Sequence, residues 1–401
     1  MKLLTVKEMS IKWNLTERRI QMLCNENKIT GAVKFGKVWM IPDDAVITTK
    51  AEKISSKMPL PKKTPFLDMT NIYNKAGEVE KSANALLNNK EAYELFEAQI
   101  AYRRGEIEKV YEKTRYFLNA HSGFYAILGG GMLLAFCAIW KGDLELWNEA
   151  KKHICEAPSK TQNERDIISL SLAVVDSFVY DNHDFPDWFK KGNFESLPQS
   201  AHPAAKVFYI KYLCMMMLND NKQSLEKGLL INILPNIIEP LITQAVVDQT
   251  IIPEIYLRLS CAAAYLKKGL KEDAISQLDK ALCLAHPDKL YGILAEYVRH
   301  FDGLLEDRLK LQDELATKEV LKLYEEYKIG WTKLSTSIKN KYLIKDLTEE
   351  EHTVAKLVAF GLSNDDIANI QKKQVQEIKE IILNIMKKTN IFDIKEFVYF
   401  L

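Results

Sequence analysis

The sequence predicts a mainly α-helical protein. A long run of helical hairpins, an α-solenoid, is flanked by a small helical module with a β-hairpin at one end and a short four-helix module at the other. Three observations predict it. From about residue 66 to 326 the apolar residues follow a helical period, with no convincing strand-type alternation. Within that stretch a unit recurs: small residues, a basic residue, a glycine, then a second amphipathic segment. Residues 1–53 and 347–401 each open on a capping box of their own.

The 401 residues are 47% hydrophobic and 27% charged, enough to build cores for roughly two to four domains. The composition excludes a mainly disordered chain, a collagen-like chain and a disulfide-built mini-protein. With 55 Lys and Arg against 54 Asp and Glu, a uniformly basic coat is excluded as well, so any basic surface is local. The six cysteines are scattered and form no C-x-x-C, which reads as buried thiols in a reducing cytosol.

Charge divides the chain. Residues 1–53 hold ten Lys and Arg against six acids, whereas 347–401 hold seven Lys, no Arg and nine acids. Only the first has the sign of a duplex-binding module. The expected organisation is a first module at 1–53, a Pro/Lys linker at 54–65, a helical-repeat body at 66–330, a connector at 331–346 and a last module at 347–401. The linker, SSKMPLPKKTP, carries three prolines with Lys57, Lys62 and Lys63 and reads as an extended, solvated tether.

In the first module Thr5-Val6-Lys7-Glu8 is a capping box that starts a helix to about Trp13. After a turn, Thr16 caps a second helix to about Asn25. Its 3.6-residue period buries Ile20, Leu23 and Cys24 and leaves Glu17, Arg18, Gln21 and Asn25 outward, with Arg19 near the boundary. Residues 32–35 and 38–41 around Gly36-Lys37 predict a hairpin, and Pro42 to Ala45 predicts the start of another short helix. Helix, turn, helix and hairpin make a winged helix-turn-helix. The strings "TVKEMSIKWNLTERRIQ" and "ITGAVKFGKVWMIPDDA" resemble the small excisionase/MerR-type DNA-binding domain. The residues suited to duplex DNA are Thr16, Arg18, Arg19 and Gln21 on the second helix, with Lys34 and Lys37 on the wing reaching phosphates.

The clearest unit of the middle is Ala262-Ala263-Ala264-Tyr265, then Lys268-Gly269, then Ala274, Leu278 and Ala281. Small residues let two antiparallel helices approach, Gly269 turns the chain, and Tyr265 and Leu278 fill the space between. It resembles a tetratricopeptide repeat. Weaker copies run from Ala101 through Gly105 to Phe117 and from Ala138 through Gly142 to Ile154. Each hairpin can bury its apolar face only against its neighbours, which implies a solenoid whose concave face takes a protein, peptide or small-molecule effector. The uncharged stretch Gly123 to Trp140 reads as a buried helix pair broken at Gly129–Gly131, not as a membrane span.

In the last module Leu347-Thr348-Glu349-Glu350-Glu351 caps a first helix that ends at Gly361 in a left-handed cap. Ser363 caps a second helix; a third covers about 374–388 and a fourth about 394–400. Leu347, Thr348, Glu351, Val354, Leu357, Gly361, Leu362, Ser363, Asn364, Ile367 and Ala368 resemble the LuxR-type four-helix DNA-binding domain. That resemblance weakens where DNA is read. The family's Thr-Val-Lys appears as Glu377-Ile378-Lys379, its following His as Ile381 and its first-helix Arg as Glu350. Of these only Lys379 keeps the chemistry of a DNA contact.

No phosphate-binding G-x-x-x-x-G-K-[ST], H-E-x-x-H or G-x-S-x-G occurs, and the seven histidines are isolated from one another. No catalytic residue, metal or cofactor is expected, and the chain does not read as an enzyme. Met1-Lys2-Leu3-Leu4 runs straight into polar, periodic sequence, so no signal peptide is expected and a cytoplasmic setting is. Together the resemblances imply a bacterial-type transcription regulator that binds double-stranded DNA as a homodimer, without a membrane. The alternative is a helical-repeat scaffold or adaptor that binds protein partners and reads no DNA.

Overall fold

The computed structural model describes residues 3–13, 15–25, 29, 32–35, 38–43, 45, 63–118, 122–179, 181, 184–219, 225–345 and 347–389. These are mainly helical, with one three-stranded sheet. The chain divides into two compact units, Met1–Leu60 and Pro61–Leu401.

In the first unit the capping box forms as its sequence dictates. Glu8 Oε2 accepts from the Thr5 amide at 2.7 Å and from its hydroxyl at 2.8 Å, while Thr5 Oγ1 accepts from the Glu8 amide at 3.3 Å. The helix Val6–Trp13 starts there, and Glu17–Asn25 follows. The expected hairpin is present as Val33–Phe35 and Val38–Pro42. A further strand, Leu3–Thr5, pairs antiparallel with Val38–Pro42 on its other side, with Leu4 opposite Ile41. Pro42 corrects the reading of a helix start at that point. It closes the central strand opposite Leu3, and the Ala45 amide turns back to donate to the Pro42 carbonyl at 3.0 Å. The rest of that expected helix lies outside the described residues. Met9, Ile20, Leu23, Cys24 and Ile41 form the core between helices and sheet.

In the second unit the three anticipated hairpins are Lys90–Arg104 with Ile107–Phe117, Phe124–Lys141 with Leu144–Cys155, and Ile251–Lys267 with Lys271–Ala285. Each turns on a left-handed glycine, with φ of 85° at Gly105, 62° at Gly142 and 82° at Gly269. Ala262, Ala274, Leu278 and Ala281 are fully buried. Tyr265 departs from the expectation: it is half-buried, and its hydroxyl donates to Glu239 Oε1 at 2.5 Å on the preceding helix, Leu225–Val247.

Two boundaries are corrected. Thr64 and Pro65, assigned to a solvated linker, are buried, and the Pro65 carbonyl accepts from Gln99 Nε2 at 2.6 Å. Residues 331–345 of the expected connector belong to one helix, Glu314–Lys345. Trp331 Nε1 donates to the Phe178 carbonyl at 2.7 Å and Leu334 is fully buried, so packing carries the helical body past residue 330.

Gly129–Gly131 do not break a helix pair. They lie within the single helix Phe124–Lys141, whose added Cβ atoms would sit 2.7 Å from Leu95 Cδ1, 2.7 Å from Phe117 Cβ and 2.8 Å from Ile154 Cγ1. Three neighbouring helices touch it on three sides, and glycine is what admits them. Among the described residues two helices are long and apolar enough to cross a membrane. Phe124–Lys141 is 78% buried within the protein, while Leu230–Val247 is 28% buried. The thiols divide: Cys24, Cys137, Cys214 and Cys261 are buried, but Cys155 and Cys283 are exposed, because each stands on the outward side of its helix.

The last module forms Glu349–Ala359, Asn364–Gln371 and Val375–Thr389. Thr348 with Glu351 and Ser363 with Asp366 make two reciprocal capping boxes, and Gly361 takes a φ of 81°. Val354, Ala355, Ile367, Ile378, Ile382 and Ile385 form a separate core. The expected fourth helix lies outside the described residues.

Candidate nucleic-acid interface

The helix Glu17–Asn25 is positioned from its first turn. Thr16 Oγ1 accepts from the Arg19 amide at 3.2 Å, and the Thr16 carbonyl accepts from the Arg19 and Ile20 amides. A threonine in this place supplies the oxygen that a bare helix start lacks. Ile20, Leu23 and Cys24 are 0–3% exposed and lock the inner face. Burial also pushes the Cys24 thiol pKa up, so it stays a neutral core group.

Everything else on this helix faces out. Thr16, Arg18, Arg19 and Gln21 are all exposed, as are Glu17, Met22 and Asn25. Four of the expected DNA contacts thus share one short helix. Arg19, which periodicity left near the boundary, stands outside it. Met22, 42% exposed amid polar neighbours, is a residue that the sequence reading passed over. The signal was available: 22 falls one residue after Gln21 and four after Arg18, on the arc opposite Ile20 and Cys24. The Lys34 side chain and the whole of Lys37 lie outside the described residues.

Lys12, on the first helix, has a local duty. Lys12 Nζ sits 2.5 Å from Asp43 Oδ1. That pair ties the first helix to the end of the central strand.

Lys379, in the second unit, is exposed on the third helix of the last module. Glu377 caps its own helix by accepting from the Gln374 amide at 2.8 Å. Lys373 pairs with Glu350 at 2.7 Å, and Lys388 with Glu351 at 2.7 Å. Burial raises the Glu351 pKa, but the Lys388 ammonium and the Thr348 capping bonds outweigh it and hold the carboxyl below its usual range. Phe360, Ile370 and Leu383 are more than half exposed on the same module.

Inside the helical body a buried polar chain crosses several helices. Asp68 takes a hydrogen bond from Arg103 Nε at 2.7 Å, and Arg103 Nη1 donates to Tyr256 OH at 2.8 Å. Tyr256 OH lies 3.2 Å from Glu296 Oε2, which also receives Lys211 Nζ at 2.8 Å. Burial lowers the Lys211 pKa, with Glu296 opposing, and the ammonium sits 3.3 Å above the Phe178 ring centre. Beside Lys211 is a cavity of about 20 Å³, lined by Ser260, Glu296, Tyr297 and His300 among others. That is the room of one or two water molecules, too little for an organic effector. Among the described residues no cluster of His, Cys, Asp or Glu is arranged to hold a metal.

A scan against protein-family models found no match to this chain, and searches of curated proteins and of solved structures found none either.

Proposed function

We propose that this protein is a DNA-binding transcription regulator whose residues 1–53 act as a winged helix-turn-helix and carry the main duplex contact. The observation that carries the reading is the exposed face of Glu17–Asn25. It presents Arg18, Arg19 and Gln21 together, on a helix whose opposite face is fully buried, in a module with an excess of four positive charges. A rigid helix of this size with guanidinium and amide groups outward suits phosphate and base-edge contacts in a major groove. On this reading the helical middle is a tetratricopeptide-like solenoid that senses an effector or partner on its surface, and two-fold pairing matches a palindromic site. The three hairpins turned on left-handed glycines support the solenoid assignment.

The last module serves better as a packing or partner-binding end than as the principal reader. Lys373 and Lys388 are engaged by Glu350 and Glu351, and Phe360, Ile370 and Leu383 are exposed. A LuxR-like fold kept for protein contacts fits these features.

The test is duplex binding by the full chain, measured at about 50 and about 200 mM salt, for wild type and for Arg18→Ala/Arg19→Ala. The wild type should lose affinity steeply with salt, because each neutralised phosphate releases counterions. The double variant should bind more weakly and with a shallower slope while keeping its circular dichroism. Unchanged binding by the variant removes the recognition-helix assignment. No binding even at low salt favours the scaffold reading.

A further inference from the structure

We infer that Arg18, Gln21 and Met22 form a base-reading set, Arg18 for guanine, Gln21 for adenine and Met22 for the methyl group of thymine. The preferred site then contains a G·C pair within one or two steps of an A·T pair. The inference rests on the duplex-binding reading above and deepens it.

The argument starts from helix geometry. At about 100° per residue, the buried residues Ile20, Leu23 and Cys24 cover one side of Glu17–Asn25. The exposed arc opposite them is centred on Arg18. Gln21 lies roughly 60° to one side of it and Met22 roughly 40° to the other, while Glu17 and Arg19 stand at the rims. Rim side chains face the groove walls, where phosphates are. Arg18, Gln21 and Met22, the side chains of this arc within the first two turns, face the groove floor.

Spacing along the axis sets the footprint. Gln21 and Met22 lie roughly 4.5 and 6 Å beyond Arg18 at 1.5 Å per residue. Base pairs are stacked about 3.4 Å apart, so the two positions fall one to two pairs from the pair that Arg18 addresses. Asn25 lies on the arc as well, but about 10 Å from Arg18, towards the helix end that leaves the groove.

Chemistry then assigns the bases. A guanidinium presents two parallel donors, matching O6 and N7 of guanine. A carboxamide presents a donor and an acceptor, matching N7 and N6 of adenine. Met22 is the one apolar side chain on the exposed face of Glu17–Asn25. It is a flexible, polarisable apolar side chain, 42% exposed, at the centre of an otherwise polar face of a module with excess positive charge. In the major groove the one apolar group offered by any base is the C5 methyl of thymine. Gln21 and Met22 are adjacent in sequence and flank Arg18, so they can address the two bases of one A·T pair.

The experiment uses the full chain. The preferred duplex is first selected from a randomised pool. Each thymine in it is then replaced singly by deoxyuridine, which removes the methyl group and keeps the pairing. For wild type, one such replacement should weaken binding about fourfold, the worth of one buried methyl-sized group. For Met22→Ala that same replacement should change nothing. Arg18→Ala should lose its discrimination at the guanine. The Met22 assignment is overturned if the thymine-to-uracil loss is equal in wild type and Met22→Ala, or if Met22→Ala weakens all duplexes uniformly. A selected site with no G·C pair near an A·T pair overturns the whole set. Failure of the full chain to bind any duplex at low salt overturns both this inference and the functional reading beneath it.

Discussion

Two glycines separate two ways in which a single atom can matter. An added Cβ at Gly330 would lie 2.0 Å from the Trp140 carbonyl oxygen, backbone against backbone, where no side chain can move aside. At Gly269 nothing lies within 4 Å, and the residue is needed only for its left-handed turn at φ 82°. Gly330→Ala should therefore cost about 3 kcal/mol or more, at the upper end of what overpacking does. Gly269→Ala should cost about 1–2 kcal/mol, the left-handed penalty alone. Denaturant unfolding of the two variants compares them directly; equal losses would contradict the packing argument. The Asp68–Arg103 pair makes a third case, because both side chains are at most 5% exposed. Asp68→Ala leaves a buried guanidinium without its carboxylate and should destabilise by about 3–5 kcal/mol. A loss below about 1 kcal/mol would mean that Tyr256 and Glu296 compensate.

At the scale of elements, helix starts carry much of the local order. Thr5 with Glu8, Thr348 with Glu351 and Ser363 with Asp366 all close as reciprocal boxes. Glu351 is the most exposed to pH in its consequences, because it also holds Lys388 across the module. Its carboxyl titrates below the ordinary range, so the folded state prefers it ionised. The resulting stability is present above about pH 4.5 and is lost as pH falls below that through the folded value. Amide exchange of residues 347–389 in the full chain should accelerate over that window in wild type. In Glu351→Gln it should be faster at neutral pH and flatter towards acid. A parallel pH response in both proteins would show that another carboxylate controls the module.

At the scale of the whole molecule, the two ends can be ranked by their salt dependence. Each phosphate contact contributes about 0.9 to the slope of log affinity against log salt. The first module offers Arg18 and Arg19 on one exposed helix. The last exposes Lys356, Lys372, Lys379 and Lys387, of which only Lys379 and Lys387 stand on its third helix, with Lys373 and Lys388 paired to acids. Deleting 347–401 should change the slope by less than about one unit, and deleting 1–53 should remove most of it. Light scattering on each truncation is needed alongside, because a lost dimer contact would halve the phosphates touched. A drop of several units on removing the last module would make it the principal reader.

Much of the candidate interface is legible in the sequence alone. The cap at Thr16, the buried Ile20, Leu23 and Cys24, and the outward Arg18 and Gln21 all follow from interactions within four residues along one chain segment. The glycine turns at 105, 142 and 269 are local in the same sense. Met22 was equally periodic, yet an apolar residue reads as core until the full face is drawn. What only the tertiary structure decided depends on residues far apart in sequence. The strand Leu3–Thr5 exists because Val38–Pro42 offers it an edge. Gly129–Gly131 continue a helix because Leu95, Phe117 and Ile154 press on it from three sides. The helix through Trp331 continues the body because Phe178 accepts its indole proton. Lys373 and Lys388 are paired because Glu350 and Glu351 stand across from them. Short-range periodicity and capping leave a mark in neighbouring letters. Packing and ion pairing between distant segments leave none, because their energy depends on which surfaces the fold brings together.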